Sequence, residues 1–243
     1  TWQASRVRIA PGFMKYSTLP HQARKNIFVQ NRLFCGCTFA SEIAQLRSPR
    51  AFLLLLGCTC YIPVLLVWSG GIPFSYRFYV LAAVLLSFLL LSVARGYGLR
   101  ELGITLTGSL PSLRWNILFC AGGAIGLLLL HGQGIAMPRG YDYSLACFLF
   151  YIFFLSPVQE LIFRGVLFAE MRRCRITHPF WMLLISASTF CFLHIIYNHP
   201  PLLVITFFSG VVWGFMYLRW PSIWGLALSH SVLGSLAMLL GVL

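Results

Sequence analysis

Seven stretches of about 20 mostly apolar residues follow one another along this chain, and they limit its fold more than any other feature. A helix needs about this length to cross a bilayer, where every backbone polar group must find its partner within the protein. The sequence therefore predicts an all-α polytopic membrane protein, a bundle of about seven transmembrane helices. We expect the helices at roughly residues 51–69, 76–94, 113–131, 144–163, 179–198, 201–218 and 222–242.

Composition and charge agree with a membrane protein. Hydrophobic residues make up 59% of the chain and charged residues 9%, whereas soluble domains carry about 25% charged residues. The net charge of +13 could indicate nucleic-acid binding, but eight of the 18 Lys and Arg residues precede residue 51. Most of the others lie in loops between apolar stretches. This distribution favours membrane topology and attraction to the lipid bilayer, so no nucleic-acid partner is expected.

The basic loops also predict an orientation. Residues 1–50 are basic and contain no apolar run long enough to span a membrane, and a transmembrane domain follows over residues 51–243. The opposite side of the predicted bundle has only Arg77 and Arg139. Since Lys and Arg are enriched in cytoplasmic loops, we expect residues 1–50 to form a cytoplasmic N-terminal tail. An Arg-rich, acid-poor start is also typical of a transit peptide, which is the alternative. The other Lys and Arg on the side of the tail lie in loop 95–114, in loop 164–178 and at Arg219.

A short segment that begins at Ser156 places ionisable side chains inside the fourth apolar stretch. Glu160 and Arg164 are four residues apart, so on a helix they share one face and can form an ion pair. Such groups at membrane depth are costly and are usually functional. Pro157 cannot donate to the helix ladder, so we expect the helix to break or kink at Ser156 and restart, with Gln159 completing a capping box. Glu160 is then expected near the cytosolic end of the fourth helix.

Two histidines lie inside later apolar stretches. His194 is toward the end of the fifth stretch and His230 is in the middle of the seventh, while His199 and His131 compete with His194 as candidates. A lone histidine in a helix is more often a hydrogen-bonded core residue than a catalytic one. However, a low dielectric can tune a carboxylate and two imidazoles in one bundle toward acid–base work. The sequence therefore predicts that both histidines share one buried site with the acidic and basic residues of the fourth stretch.

The eight cysteines predict neither a disulfide framework nor a metal site. The two Cys-x-Cys pairs, at residues 35–37 and 58–60, differ from the C-x-x-C pairs of zinc sites. We interpret the cysteines as small core residues, and we expect no cofactor. Small residues on the fifth and sixth stretches, among them Ala187 and Gly210, are typical of helices that pack closely.

The order of these motifs resembles the CAAX protease and bacteriocin-processing family of intramembrane glutamic endopeptidases. The resemblance covers about residues 145–240. Two positions depart from the family pattern: Gln159 stands where the family has the first of two adjacent glutamates, and Gly234 stands where Asn or Asp follows the last histidine. The resemblance rests on Pro157–Gly165 with its Glu160-x-x-x-Arg164 pattern, on Phe190-x-x-x-His194, on a helix with Gly210 and Gly214, and on His230.

The resemblance implies an intramembrane endopeptidase that cleaves a membrane-anchored protein or peptide near the cytosolic half of the bilayer by glutamate-activated water. In this scheme the general base is Glu160, or a glutamate at position 159 of a parent chain, where Gln159 now stands. His194 orients the water, His230 donates to the oxyanion, and Arg164 keeps the acid ionised.

Other interpretations stay open. Gln159 fits a natural variant, an inactivating substitution, or a catalytically disabled member that acts as a membrane scaffold or immunity-type factor. Gly234 leaves one oxyanion donor missing, which a backbone amide, a water or Ser231 would replace. Glu160 and the two histidines could also form a zinc site, although there is no His-Glu-x-x-His helix. A transporter using the ion pair is a further alternative, but no internal repeat is seen.

Overall fold

The computed structural model describes residues 48–134 and 143–242, and within these ranges the chain forms seven long helices. Six of them are long and apolar enough to cross a membrane, if the short 3-10 turns next to the second and fifth helices are included. The seventh is a shorter apolar helix of 17 residues. The prediction of an all-α polytopic membrane protein with about seven helices is confirmed. The helices are α1 Pro49–Trp68, α2 Arg77–Arg95, α3 Ser109–Gly132, α4 Leu145–Arg173, α5 Pro179–Phe192, α6 Pro200–Arg219 and α7 Ile223–Leu239.

Prolines and a glycine set several helix ends. Helices α1, α5 and α6 each begin at a proline, which suits the first turn because this position needs no backbone donor. Gly96 ends α2 with a φ of 68°, in the left-handed region that a glycine adopts without a side-chain clash. These local signals explain why the starts of α1, α5 and α6 and the end of α2 lie close to the ends of the apolar stretches.

One end of the bundle collects the starts of α1, α3, α5 and α7 and the ends of α2, α4 and α6. There, Arg95 packs over the ring of Phe52 at 4.8 Å and bonds to the carboxylate of Glu170 at 2.8 Å. The hydroxyl of Tyr97 donates to the same carboxylate. Burial raises the pKa of Tyr97, and the hydrogen bond to Glu170 raises it further. We call this the arginine-rich end, marked by the last residues of α2, α4 and α6, which are Arg95, Arg173 and Arg219.

The opposite end of the bundle contains the ends of α1, α3, α5 and α7 and the starts of α2, α4 and α6. The indole of Trp68 donates to the side chain of Asn198 at 3.0 Å, and His131 Nδ1 donates to the carbonyl of Leu240 at 2.9 Å. Successive helices therefore run in opposite directions, as short connections between membrane spans require. The predicted tail up to residue 47 and Arg139 lie outside the described residues, so the cytoplasmic location of the tail stays a prediction.

Helix α4 does not break at Pro157, and this part of the sequence analysis was wrong. Ser156 has helical angles (φ −63°, ψ −49°), and its hydroxyl donates to the carbonyl of Ala227 at 3.3 Å instead of capping a new helix. Two π-helical segments, Tyr151–Leu155 and Leu161–Val166, flank the proline within one helix of 29 residues. Local π geometry and neighbouring helices satisfy the backbone groups that a proline frees inside a membrane.

The extra length of α4 changes the depth of the site. The apolar stretch ended at residue 163, but the helix continues to Arg173 because Glu170 is buried beside Arg95. Glu160 consequently lies near the middle of the helix and not near its end. The expectation that Glu160 is close to the cytosolic end of the fourth helix is corrected for this reason.

Helices α5 and α6 pack through small residues, as the sequence indicated. A Cβ atom added to Gly210 would lie 3.1 Å from the Cα atom of Ala187. On the other face of α5, the Ser186 hydroxyl donates to the carbonyl of Phe163 on α4 at 3.0 Å. These close approaches bring α4, α5 and α6 together around the polar side chains described next.

Candidate active site

Glu160 and Arg164 form a fully buried ion pair inside the bundle. Arg164 Nη1 lies 3.0 Å from Glu160 Oε1, and both side chains have no solvent exposure. Arg164 Nη2 donates to the backbone carbonyl of Gly210 on α6 at 3.3 Å. A buried charge is tolerated only when it is paired and hydrogen-bonded, and this arginine has both kinds of partner. The pair therefore ties the middle of α4 to the middle of α6.

His230 completes a three-residue cluster with this pair. Its Nδ1 lies 2.6 Å from Glu160 Oε1, the oxygen that also bonds to Arg164. Because an ionised carboxylate only accepts hydrogen bonds, Nδ1 of His230 carries a proton. Glu160 Oε2 makes no hydrogen bond to any residue in the described ranges. The carboxylate is thus held on one oxygen by two donors and is shielded from solvent.

Aromatic side chains frame the imidazole of His230. The ring of Trp213 stacks on it with 4.6 Å between centroids, and Phe190 meets it edge to face at 5.3 Å. The Trp213 indole donates to the Ser229 hydroxyl at 2.8 Å, and Ser229 donates to Asn116 Oδ1 at 2.6 Å. These hydrogen bonds connect Trp213 to Asn116 on α3, and they hold the indole in place against His230.

The sequence analysis missed the roles of Trp213 and Asn116. No pattern in α6 distinguished Trp213 from a core aromatic residue. Asn116 did carry a signal, because it is a buried amide in the middle of an apolar stretch, and polar groups at such a depth usually have a specific partner.

His194 follows α5 and is half-buried. Its Nδ1 lies 3.1 Å from the carbonyl of Phe190, one turn earlier. Since a carbonyl only accepts, Nδ1 carries the proton in the neutral ring, and Nε2 is the nitrogen that can accept a hydrogen bond from water. The ring of Tyr197 stacks on the imidazole with 6.3 Å between centroids.

Two cavities adjoin the cluster. The first has a volume of about 80 Å³ and is lined by Gln159 and His194, with Arg77 and Tyr143 from the opposite end of the bundle. The second has a volume of about 350 Å³, and its wall is mainly apolar side chains of α3, α6 and α7. Both His194 and His230 lie on its wall. Gln159 and His230 thus lie on two adjoining cavities, and His194 lines both of them.

The remaining predicted residues do not line either of these two cavities. Glu160 and Arg164 are on the wall of neither cavity. The hydroxyl of Ser231 donates to the carbonyl of Ile152 at 3.0 Å, so its proton is already engaged. His199 and His131, the competing candidates, are also absent from both walls. Gln159, His194 and His230 therefore line the cavities, whereas the Glu160–Arg164 ion pair is buried away from them.

Within the described ranges, no group of three or more His, Cys, Asp or Glu side chains is arranged to hold a metal ion. The oxygen of Glu160 that meets His230 is also bonded to the guanidinium of Arg164, a cation that would repel a bound metal. The residues present therefore do not fit the zinc alternative.

Comparison with known protein families gives a match to the second half of the chain. Residues 142–236 match the family model described as type II CAAX prenyl endopeptidase Rce1-like. No curated protein and no solved structure matched the chain. The matched segment contains Gln159, Glu160, Arg164, His194 and His230, all five predicted site residues. Over this segment, which is less than half of the chain, the match supports the resemblance to the CAAX protease and bacteriocin-processing family.

Proposed function

We propose that this chain is an intramembrane endopeptidase that hydrolyses a membrane-anchored protein or peptide. The proposal rests on one observation. Gln159, His194 and His230 line adjoining cavities in the middle of the bundle, and the fully buried carboxylate of Glu160 bonds to His230. Hydrolysis of a peptide bond needs a positioned water, a group that accepts its proton and donors for the oxyanion. These residue types can supply all three.

Glu160 is better suited to positioning His230 than to acting as the general base. Its carboxylate has no solvent exposure, and its bonded oxygen already accepts from Arg164 and His230. A general base must reach the water whose proton it takes, directly or through one further water. When both of its nitrogens carry protons, His230 donates from Nδ1 to Glu160 and from Nε2 to an oxyanion.

Gln159 lines the first cavity, where we place the attacking water. Its carboxamide oxygen can accept a hydrogen bond from that water, but it cannot accept a proton at neutral pH. We infer that His194 takes the proton through Nε2 and that turnover is slow. The water oxygen bonds to the carbonyl carbon while the carbonyl electron pair moves to its oxygen. When this pair returns, the C–N bond breaks and the amine takes the proton from His194.

The second cavity supports entry from the lipid phase. Its wall is largely apolar, and it reaches His230 and His194 at one side. An anchored segment can therefore approach through apolar contacts while its polar backbone meets the histidines. The first cavity opens among residues of the opposite end, such as Tyr143 and Tyr197, so we propose that water enters there. The earlier expectation of a site in the cytosolic half has no support from this geometry, because Glu160 lies mid-helix.

The test uses the full chain in liposomes with a fluorescent peptide that ends in a farnesylated Cys-aliphatic-aliphatic-X sequence. The probe follows the description of the matched family. We expect the chain to cleave it slowly and Gln159→Glu to raise the rate by about 10²–10⁴-fold, the usual contribution of a general base. Gln133→Glu, a residue after the end of α3 that lines neither cavity, is the matched control.

Each alternative has its own outcome in this assay. Loss of cleavage after chelation, restored by zinc, would favour the metalloprotease. Binding of the peptide without cleavage by either the chain or the Gln159→Glu variant would favour the scaffold, which the departures at Gln159 and Gly234 support. A rate that falls in Gln159→Glu while Glu160→Gln abolishes cleavage would return the role of base to Glu160.

A further inference from the structure

Tyr151 separates the two cavities. Within the described ranges only Tyr151 and His194 line both of them. The phenol ring is 7% exposed and lies edge to face with the imidazole of His230, with 6.0 Å between centroids. No hydrogen bond joins the Tyr151 hydroxyl to a residue in these ranges, and the phenol lines both cavities, so its proton can be donated to a molecule there.

The phenol of Tyr151 has room here because Gly234 has no side chain. A Cβ atom added to Gly234 would overlap the hydroxyl oxygen of Tyr151, so any side chain at this position would displace the ring. Residue 234 lies one helical turn after His230 on α7, and residues four apart share a helix face. The hydroxyl of Tyr151 thus occupies the space, beside the imidazole, that a side chain at position 234 would otherwise fill.

We propose that the Tyr151 hydroxyl is the second oxyanion donor of this site, acting together with His230. The inference rests on the proposed function, since an oxyanion forms only if the carbonyl is attacked. The carbonyl electron pair that moves to oxygen during the attack then meets two donors, the phenol of Tyr151 and Nε2 of His230. In this chain the donor comes from α4, because Gly234 on α7 has no side chain to supply one.

The first test is Tyr151→Phe in the Gln159→Glu chain, which provides a rate large enough to measure. Removing one oxyanion donor lowers kcat by about 10²–10³-fold in enzymes of this kind, so we expect a loss of about 10²-fold with an unchanged KM. Tyr61→Phe is the matched control, because its hydroxyl bonds to Thr189 at 2.8 Å and it lines neither cavity. We expect Tyr61→Phe to retain the rate.

A second measurement separates a donor from a packing residue. A peptide with a phosphinate in place of the scissile amide carries the charge and shape of the tetrahedral intermediate. Tyr151→Phe should weaken binding of this phosphinate by the same factor as it lowers kcat/KM, while binding of the uncleaved amide peptide stays unchanged. Equal weakening of both ligands would overturn the inference, because it would indicate lost packing.

Restoring a donor from the other helix gives a third measurement. Tyr151→Ala should be nearly inactive, and the double variant Tyr151→Ala with Gly234→Asn should recover part of the rate. In that variant the phenol no longer fills the space and the asparagine amide can donate there. No recovery, despite a folded double variant by thermal unfolding, counts against the inference.

The outcomes distinguish this inference from the proposed function. Full activity of Tyr151→Phe in the Gln159→Glu chain overturns the role of Tyr151 and leaves the peptidase intact. No cleavage by the Gln159→Glu chain itself overturns the proposed function, and the role of Tyr151 with it.

Discussion

His230 donates a hydrogen bond from Nδ1 to Oε1 of Glu160 at 2.6 Å, although the two residues are 70 positions apart and on different helices. Arg164 bonds to the same oxygen and reaches the backbone of α6. One carboxylate oxygen therefore connects three helices in the middle of the bundle. A buried carboxylate of this kind determines both the stability of the helix contacts and the orientation of the imidazole.

Replacing Glu160 by glutamine should destabilise the fold as well as lower activity. Glutamine has no charge, so Arg164 would stay buried without a counter-ion, and breaking a buried pair in this way costs about 3–5 kcal/mol. Thermal unfolding of the purified chain in detergent measures the loss. Glu101→Gln is the control, because the Glu101–Arg173 pair is about one third exposed and such pairs contribute about 0–1 kcal/mol. Equal unfolding temperatures for the two variants would contradict the prediction.

Ser229→Ala should lower both stability and turnover. It leaves the buried indole N–H of Trp213 and the buried carbonyl oxygen of Asn116 without their shared partner, which costs about 1–3 kcal/mol. Because Trp213 stacks on His230, we expect kcat to fall more than KM changes. Ser87→Ala, which removes an exposed hydroxyl bonded within its own helix, should leave both quantities as they are.

Gly210→Ala should destabilise the bundle even though alanine is the better helix former. The added methyl group would lie 3.1 Å from the Cα atom of Ala187, and overpacking of this kind costs about 1–3 kcal/mol. Gly122→Ala on α3 meets nothing within 4 Å, so it should be neutral or stabilising by up to about 1 kcal/mol. Unfolding temperatures that move in the same direction for both variants would refute the close packing of α5 and α6.

Labelling of Cys174 tests the predicted orientation. This residue directly follows α4 at the arginine-rich end, which the excess of Lys and Arg predicts to be cytosolic. In sealed cells, an impermeant maleimide should leave Cys174 unlabelled until the membrane is opened. Burial raises the pKa of the Cys174 thiol, and the nearby carboxylate of Glu170 raises it further, so the reaction should be run at alkaline pH. Rapid labelling from outside intact cells would reverse the orientation.

The apolar stretches and the ion-pair spacing were enough to predict much of this protein. Helix number follows from the length that a bilayer requires, and the Glu160–Arg164 pair follows from the helical repeat, because both depend only on neighbours in the chain. The continuation of α4 through Pro157 could not be predicted in this way. Whether a proline breaks a helix depends on the neighbouring helices that satisfy its freed backbone groups.

The tertiary structure alone decided which side chains meet. Glu160 and Gln159 are adjacent in the sequence and both polar, yet Glu160 is enclosed by Arg164 and His230, and Gln159 lines a cavity. The contact between Tyr151 and Gly234 is likewise invisible in the sequence, because it joins two helices whose relative rotation is set by packing. Periodicity assigns a residue to a face of its own helix. The opposing residue on another helix is determined by close packing of the whole bundle.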